Sequence, residues 1–161
     1  MKKIFYLFIS LILLINFFAC AGYESVLQSS NIEFKIVDHS ITGDKKIGRI
    51  IYDQLNNLSK LHNNAEAKDL DISINVTENE SATSKNTAGK ILGYKINLST
   101  SVVVKDFKTN AVILNEKFDY SLSYEAQDQH FETLKLKNKI IENLTNKINQ
   151  ELLLKLSEKL Q

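Results

Sequence analysis

Hydrophobic and polar residues alternate in four segments of the chain, as they do in strands that bury one face. The clearest case is residues 70–77, where Leu70, Ile72, Ile74 and Val76 share one side. The pattern predicts strands at residues 32–38, 70–77, 94–105 and 112–124. Glu116 interrupts the apolar row of the fourth strand, so a bulge near Asn115 and Glu116, or a strand bent over the core edge, is expected to keep its carboxylate in water.

Two further segments have the three- and four-residue spacing of an amphipathic helix. The first runs from Ile47 to near Leu61, with Thr42 or Asp44 as the candidate N-cap. The second runs from Gln127 to the end, and its stripe contains Leu134, Ile141, Leu144, Ile148, Leu152 and Leu156. Residues 78–90 contain almost no large apolar side chain, which predicts a mobile loop or the frayed tip of a long hairpin.

The order βαβββα predicts one α+β domain over residues 32–161, a two-layer sandwich with a four-stranded mixed sheet and both helices on one face. Each strand has only one apolar face, so the other sheet face meets water or a partner. That second face is rich in Ser and Asn. It is either an ordinary solvated surface or a surface suited to a wet, polar protein lumen.

The first residues have the pattern of a secretory signal peptide. Lys2 and Lys3 precede an apolar run, and Ala19 stands before Cys20, the only cysteine. This resembles a lipobox, which predicts removal of residues 1–19, acylation of Cys20, for example with palmitate, and a lipidated tether over residues 20–31. Ala21 in place of Asp favours the outer membrane, with the domain on its periplasmic side. The alternative is an ordinary secreted protein with one free thiol.

Charge and side-chain chemistry exclude several classes of function. Removal of residues 1–19 leaves 142 of the 161 residues, with 18 basic and 19 acidic side chains, so no general field attracts nucleic acid. His39, His62 and His130 lack the spacing of metal ligands, and no phosphate-binding loop or nucleophile motif is present in the sequence. We therefore expect a noncatalytic protein with no metal and no cofactor.

Three lysines in and beside the segment 78–90 are the nearest approach to an anion site. They are Lys85, Lys90 and Lys95. The alternative is that they are scattered surface charges, which is the common case for isolated lysines.

Several short motifs resemble the family of LptE, the lipopolysaccharide-assembly lipoprotein of the outer membrane. Gly22 and Tyr23 match its start after the cysteine, with Ala21 as one extra residue. The segment "GYKINLSTSVVVKDFKTNAVILNEKFDYSLSY" is similar to the family's strand, turn and strand. The matching positions are Asp106, Thr109, Ser121 and Tyr124, with Asn110 in place of the turn glycine.

The resemblance implies a noncatalytic protein that plugs an LptD-like β-barrel, supports its assembly and assists lipopolysaccharide transport to the cell surface. It makes Lys85, Lys90 and Lys95 the candidate lipopolysaccharide contacts. One alternative is a different small periplasmic lipoprotein that serves as an auxiliary subunit of a cell-envelope enzyme or transporter. Another is a carrier that encloses lipid alone, which would need an apolar cavity.

Overall fold

A computed structural model describes residues 33–61 and 67–160 and contains the predicted elements in the predicted order. These are β1 (Phe34–Gly43), α1 (Lys45–Leu61), β2 (Lys68–Lys85), β3 (Ile91–Asp106), β4 (Val112–Glu125) and α2 (His130–Leu160). The predicted signal peptide, Cys20 and tether lie outside the described residues. The α+β fold class with the order βαβββα is confirmed.

The four strands form one mixed sheet in the order β1-β2-β3-β4. The strands β1 and β2 are parallel and are connected through α1, whereas β2, β3 and β4 form an antiparallel meander. Asp44 begins α1, because its Oδ1 accepts hydrogen bonds from the backbone N–H groups of Lys46 and Ile47, both at 3.0 Å. Of the two predicted caps, the structure uses Asp44.

The core lies between the helices and one face of the sheet. The β2 row Leu70, Ile72, Ile74 and Val76 is at most 1% exposed, as the alternation predicted. The helices bury their stripes against such rows, with Ile47, Ile51 and Leu55 from α1 and Ile140, Leu144, Ile148, Leu152 and Leu156 from α2. Burial of this apolar surface is the main force that holds the two layers together.

The strands β2 and β3 are longer than their hydrophobic patterns predicted. β2 continues to Lys85 and pairs with β3 over most of the segment expected to be a loop or a frayed tip. Asn86 closes the turn, with its backbone N–H bonded to the carbonyl oxygen of Lys90 at 2.9 Å and its Oδ1 accepting from Ala88 and Lys90. Backbone pairing keeps this polar extension in a strand conformation, although none of its side chains joins the apolar core.

Two side chains are placed differently from expectation. Glu116 lies in regular register opposite Val102. The register shift between β3 and β4 lies instead between Val104 and Lys105, near the start of β4. Its carboxylate is held 2.7 Å from Lys155 Nζ of α2, so an ion pair replaces the expected bulge. Leu134 is 44% exposed, because the buried stripe of α2 starts at Thr133 and continues to Ile140.

Candidate interaction face

The sheet face turned away from the helices is built mainly from short polar side chains, with charged residues that include Asp71, Lys95, Lys105, Lys117 and Asp119. Residues paired directly across neighbouring strands share a face, so the register places Thr77, Ser99 and Asp119 in one row and Asn79, Asn97 and Ser121 in the next. We call this surface the open face; its other members include Ser40, Thr42, Ser73, Asn75, Ser81, Lys95, Ser101, Val103, Asn115, Lys117 and Ser123.

Hydrogen bonds connect several side chains of the open face to one another. Ser40 Oγ lies 2.9 Å from Ser73 Oγ across the β1–β2 pair. Hydrogen bonds from Ser99 and Lys117 hold the pKa of the Asp119 carboxyl below its usual value. Lys117 Nζ is 3.0 Å from Asp119 Oδ2, so the two charges of this region offset one another.

A shallow depression of about 240 Å³ lies in the middle of the open face. It is lined by Asn97, Leu98, Ser99, Asp119, Tyr120 and Ser121. Hydroxyl and amide groups can donate and accept hydrogen bonds directly or through water. The face therefore suits a broad, wet contact.

The lysines proposed as an anion site occupy two different places on the hairpin. Lys85 ends β2 and Lys90 precedes β3, so both lie at the exposed hairpin tip. Lys90 Nζ is 4.0 Å from Asp128. Lys95 lies on the open face, half-buried and opposite Ser81 and Ser123. The structure thus places Lys85 and Lys90 at the same hairpin tip and Lys95 further along β3. Their binding of lipopolysaccharide stays a prediction.

A polar cluster that sequence analysis missed lies on the helix side of the sheet, where the apolar row of β2 ends. Lys137 of α2 lies 3.0 Å from carboxylate oxygens of both Glu78 and Glu80, and Tyr124 donates a hydrogen bond to Glu80. Partial burial would raise the pKa of Glu80, but the bonds from Tyr124 and Lys137 outweigh it and lower that pKa. Glu78 and Glu80 continue the even-numbered face of Leu70–Val76, which is the signal that could have placed them under α2.

The cleft between α1 and α2 has a volume of about 390 Å³, and its walls combine apolar surface with charged and amide groups. Ile50 and Ile141 are its apolar lining residues, and the others are Lys46, Glu78, Lys137, Asn138, Glu142, Thr145 and Asn146. A lipid chain held in it would face charged groups that lose hydration. The carrier alternative would need a lipid chain to lie along Ile50 and Ile141 beside these charges.

The described residues contain no group of His, Cys, Asp and Glu side chains arranged to hold a metal ion. Within the same ranges, no helix has both the length and the apolar character needed to cross a bilayer.

Comparisons with known proteins identify the fold. No family model matches the chain, and no curated protein sequence matches it. A candidate lipoprotein from Caulobacter crescentus CB15 has a TM-score of 0.53 at 15% identity, covering 82% of this chain and 93% of that chain. The uncharacterized lipoprotein B from Nitrosomonas europaea has a TM-score of 0.54 at 14% identity, covering 76% and 81%. A minor lipoprotein from Acinetobacter baumannii has a TM-score of 0.54 at 9% identity, covering 79% and 93%. At such identities the likeness concerns the fold alone, and the chain has the fold of these three proteins.

Proposed function

We propose that this protein is a noncatalytic lipoprotein of the outer membrane, anchored through acylated Cys20 on the periplasmic side. In this proposal it fills and supports an LptD-like β-barrel and assists lipopolysaccharide transport. The observation that carries the proposal is the open face, a wide sheet surface of Ser, Thr and Asn that the described helices leave uncovered. The lipobox-like segment and the three structural relatives, which are named as lipoproteins, support the anchor.

The polar side chains of the open face match the polar interior of a large β-barrel. Large barrels have polar inner walls, so a partner inside them must present hydrogen-bonding groups. Most of the open face consists of hydroxyl and amide groups, which can exchange water for wall contacts at little desolvation cost. Its charged residues include opposite charges paired across strands, such as Asp71 and Lys105. Four strands spaced by about 4.8 Å, with a helical layer behind, would fit only a wide barrel, of the kind with about 16 or more strands.

The test is co-purification of the acylated protein from the outer membrane, with the bound proteins identified by mass spectrometry. We expect a large β-barrel in the wild-type sample. Asn97→Arg places a long charged side chain in the middle of the open face and should reduce the recovered barrel severalfold. Asn143→Arg is the matched control for the face, because Asn143 is exposed on α2 and lies off the open face, and its replacement should reduce recovery less than Asn97→Arg does.

Two outcomes would contradict the proposal in different ways. If Asn97→Arg folds normally and still recovers the barrel, the open face is not the contact surface. If wild-type protein recovers no barrel under any membrane condition, the LptE-like role is wrong. Recovery of a cell-envelope enzyme or transporter instead would favour the auxiliary-subunit alternative.

A further inference from the structure

The outer edge of β4 is a second surface with partner-binding geometry. β4 is the last strand of the sheet, and among residues 33–61 and 67–160 no strand pairs with its outer edge. β4 runs in unbroken register with β3 from Leu114 to Glu125. The opposite edge differs, because β1 carries a register shift between Ile36 and Asp38, and an irregular edge resists the addition of another strand.

The backbone geometry shows which residues point outward along this edge. The N–H of Ala126 bonds to the carbonyl oxygen of Leu92 at 3.0 Å, so the pair of residues 92 and 126 is hydrogen-bonded. Hydrogen-bonded pairs alternate along an antiparallel ladder. The backbone groups that face away from β3 therefore belong to Asn115, Lys117, Asp119, Ser121 and Ser123, whose side chains lie on the open face.

The charges at the centre of this edge match those of a second copy. Lys117 and Asp119 are 63% and 57% exposed. A two-fold axis at Phe118 places Lys117 of one copy opposite Asp119 of the other, and the reverse, in hydrogen-bonded positions. An axis at residue 117 or 119 would instead place a charge opposite its own kind, and like charges directly across strands are unfavourable. The same axis places Asn115 opposite Ser121.

The covering of β4 by α2 restricts the approach to the plane of the sheet. On the helix side, Lys155 binds Glu116 at 2.7 Å and Lys147 lies 4.2 Å from the centre of the Tyr120 ring. A second strand can therefore add beside β4 but not above it. Two-fold edge pairing of this kind is self-complementary and closes without further growth.

We propose that two copies of this protein pair antiparallel along β4, with the axis at Phe118, and form one eight-stranded sheet. The open face of each copy remains uncovered in this arrangement, because the pairing extends the sheet sideways. The inference does not depend on the proposed barrel function. An eight-stranded sheet is twice as wide as the sheet proposed to fill a barrel, so the dimer is the form outside the barrel and must separate before one copy fills it.

Charge reversal tests the predicted register. The purified full mature chain, kept in a mild detergent for its anchor, is measured by analytical ultracentrifugation over a range of concentrations. Wild type should dimerise. Lys117→Asp places Asp opposite Asp119 twice, and Asp119→Lys places Lys opposite Lys117 twice, so each should weaken dimerisation by about tenfold or more. The double variant Lys117→Asp with Asp119→Lys restores both opposite-charge pairs and should regain wild-type dimerisation.

Disulfide crosslinking gives an independent measurement of the same register. Asn115→Cys combined with Ser121→Cys should yield a covalent dimer under mild oxidation, because these positions face one another. Asn115→Cys with Ser123→Cys is the control, because residue 123 is two positions away from the residue that faces Asn115. Both variants keep Cys20, so any crosslink through Cys20 would appear equally in the two samples. A wild type that stays monomeric at all concentrations overturns the proposal. So do a double charge variant as weak as the single ones, or equal crosslinking of the two cysteine pairs.

Discussion

Neighbouring residues of one strand differ sharply in what they contribute. Ile74 is 1% exposed in the core, whereas Asn75 is exposed on the open face. Ile74→Ala should therefore lower the free energy of unfolding by about 2 to 5 kcal/mol, and Ile148→Ala on α2 should do the same. Asn75→Ala should change it by about 0.5 kcal/mol at most. Urea unfolding measures all three, and equal losses would contradict the assigned faces.

Lys137 is the residue whose contribution to stability should depend most clearly on pH. It lies 3.0 Å from both Glu78 and Glu80, and all three side chains are less than a third exposed. Lys137→Met would leave two half-buried carboxylates close together, at a cost of about 1 to 3 kcal/mol near pH 7. Lys139→Met, at an exposed position two residues along α2, should cost little.

The direction of the pH effect follows from the two shifted pKa values. The pKa of Glu80 is lowered from 4.5, so its stabilising effect is present above pH 4.5 and is lost as pH falls through the folded pKa. The pKa of Lys137 is affected by burial, which lowers it, but the bonds to Glu78 and Glu80 outweigh this and raise it from 10.5. The difference in unfolding free energy between wild type and Lys137→Met should be largest between about pH 4.5 and pH 10.5 and should decrease in acid. A constant difference down to pH 2 would show that the pairing is not its source.

At the scale of elements, the connection from β1 to α1 depends on Gly43. Its φ is 74°, and a Cβ there would lie 2.0 Å from the carbonyl oxygen of Val76. The turn cannot move freely, because Asp44 N–H donates to that same oxygen at 2.8 Å. Gly43→Ala should destabilise the fold by about 3 to 5 kcal/mol.

Gly89 is the matched control for this prediction. Its φ is 81°, but no atom lies within 4 Å of the position that a Cβ would take. Gly89→Ala should therefore cost only the left-handed backbone conformation, about 1 to 2 kcal/mol. Thermal unfolding of both variants separates the cost of the steric clash at Gly43 from the cost of the left-handed backbone. Equal losses of stability would mean that the close approach to Val76 does not add to the cost.

The hairpin that carries Lys85, Lys90 and Lys95 gives a prediction for the proposed lipopolysaccharide contact. Phosphate and carboxylate groups bind lysine through charge-assisted contacts that weaken with salt. Changing all three lysines to Gln should reduce crosslinking to lipopolysaccharide and its salt dependence. The pair Lys85→Gln with Lys90→Gln, which lies at the hairpin tip and not on the open face, should leave co-purification of the barrel unchanged. Lys135→Gln, Lys139→Gln and Lys159→Gln on α2 form a control of equal charge. Unchanged crosslinking would remove the hairpin lysines from the mechanism.

The elements that sequence analysis predicted well are those with an apolar face. The rows around Ile72 and Ile148 repeat at the periods of a strand and a helix, which local sequence records. The extension of β2 beyond Thr77 was not predictable in this way, because it is held by backbone hydrogen bonds to β3 and not by an apolar row in the sequence. The ion pairs of Glu116 with Lys155 and of Glu80 with Lys137 join residues 39 and 57 positions apart, beyond any local pattern. The Ser and Asn content of the open face was predicted from the sequence. Which of these residues lie side by side depends on the register between strands, which only the structure gives.

At the scale of the whole molecule, the anchor hypothesis makes Cys20 the point of membrane attachment. Cys20→Ser should prevent acylation and signal-peptide cleavage before residue 20. The measurement is the size of the cellular protein by mass spectrometry, with its distribution between membrane and soluble fractions. Ser30→Ala, within the predicted tether, should leave both unchanged. A normally sized, membrane-bound Cys20→Ser protein would show that the anchor hypothesis is wrong.

The parallel pairing of β1 with β2 has a consequence for the order of folding. Contacts within the β2–β3–β4 meander are close in sequence, whereas each β1 contact with β2 closes a loop that includes all of α1. Closing a longer loop costs more chain entropy, so we expect the meander to form first and β1 with α1 to dock last. Until then β2 is itself an open edge, with its apolar residues Leu70, Ile72, Ile74 and Val76 uncovered by α1. The period between meander formation and β1 docking is therefore when a newly synthesised chain is most exposed to aggregation and most dependent on chaperones.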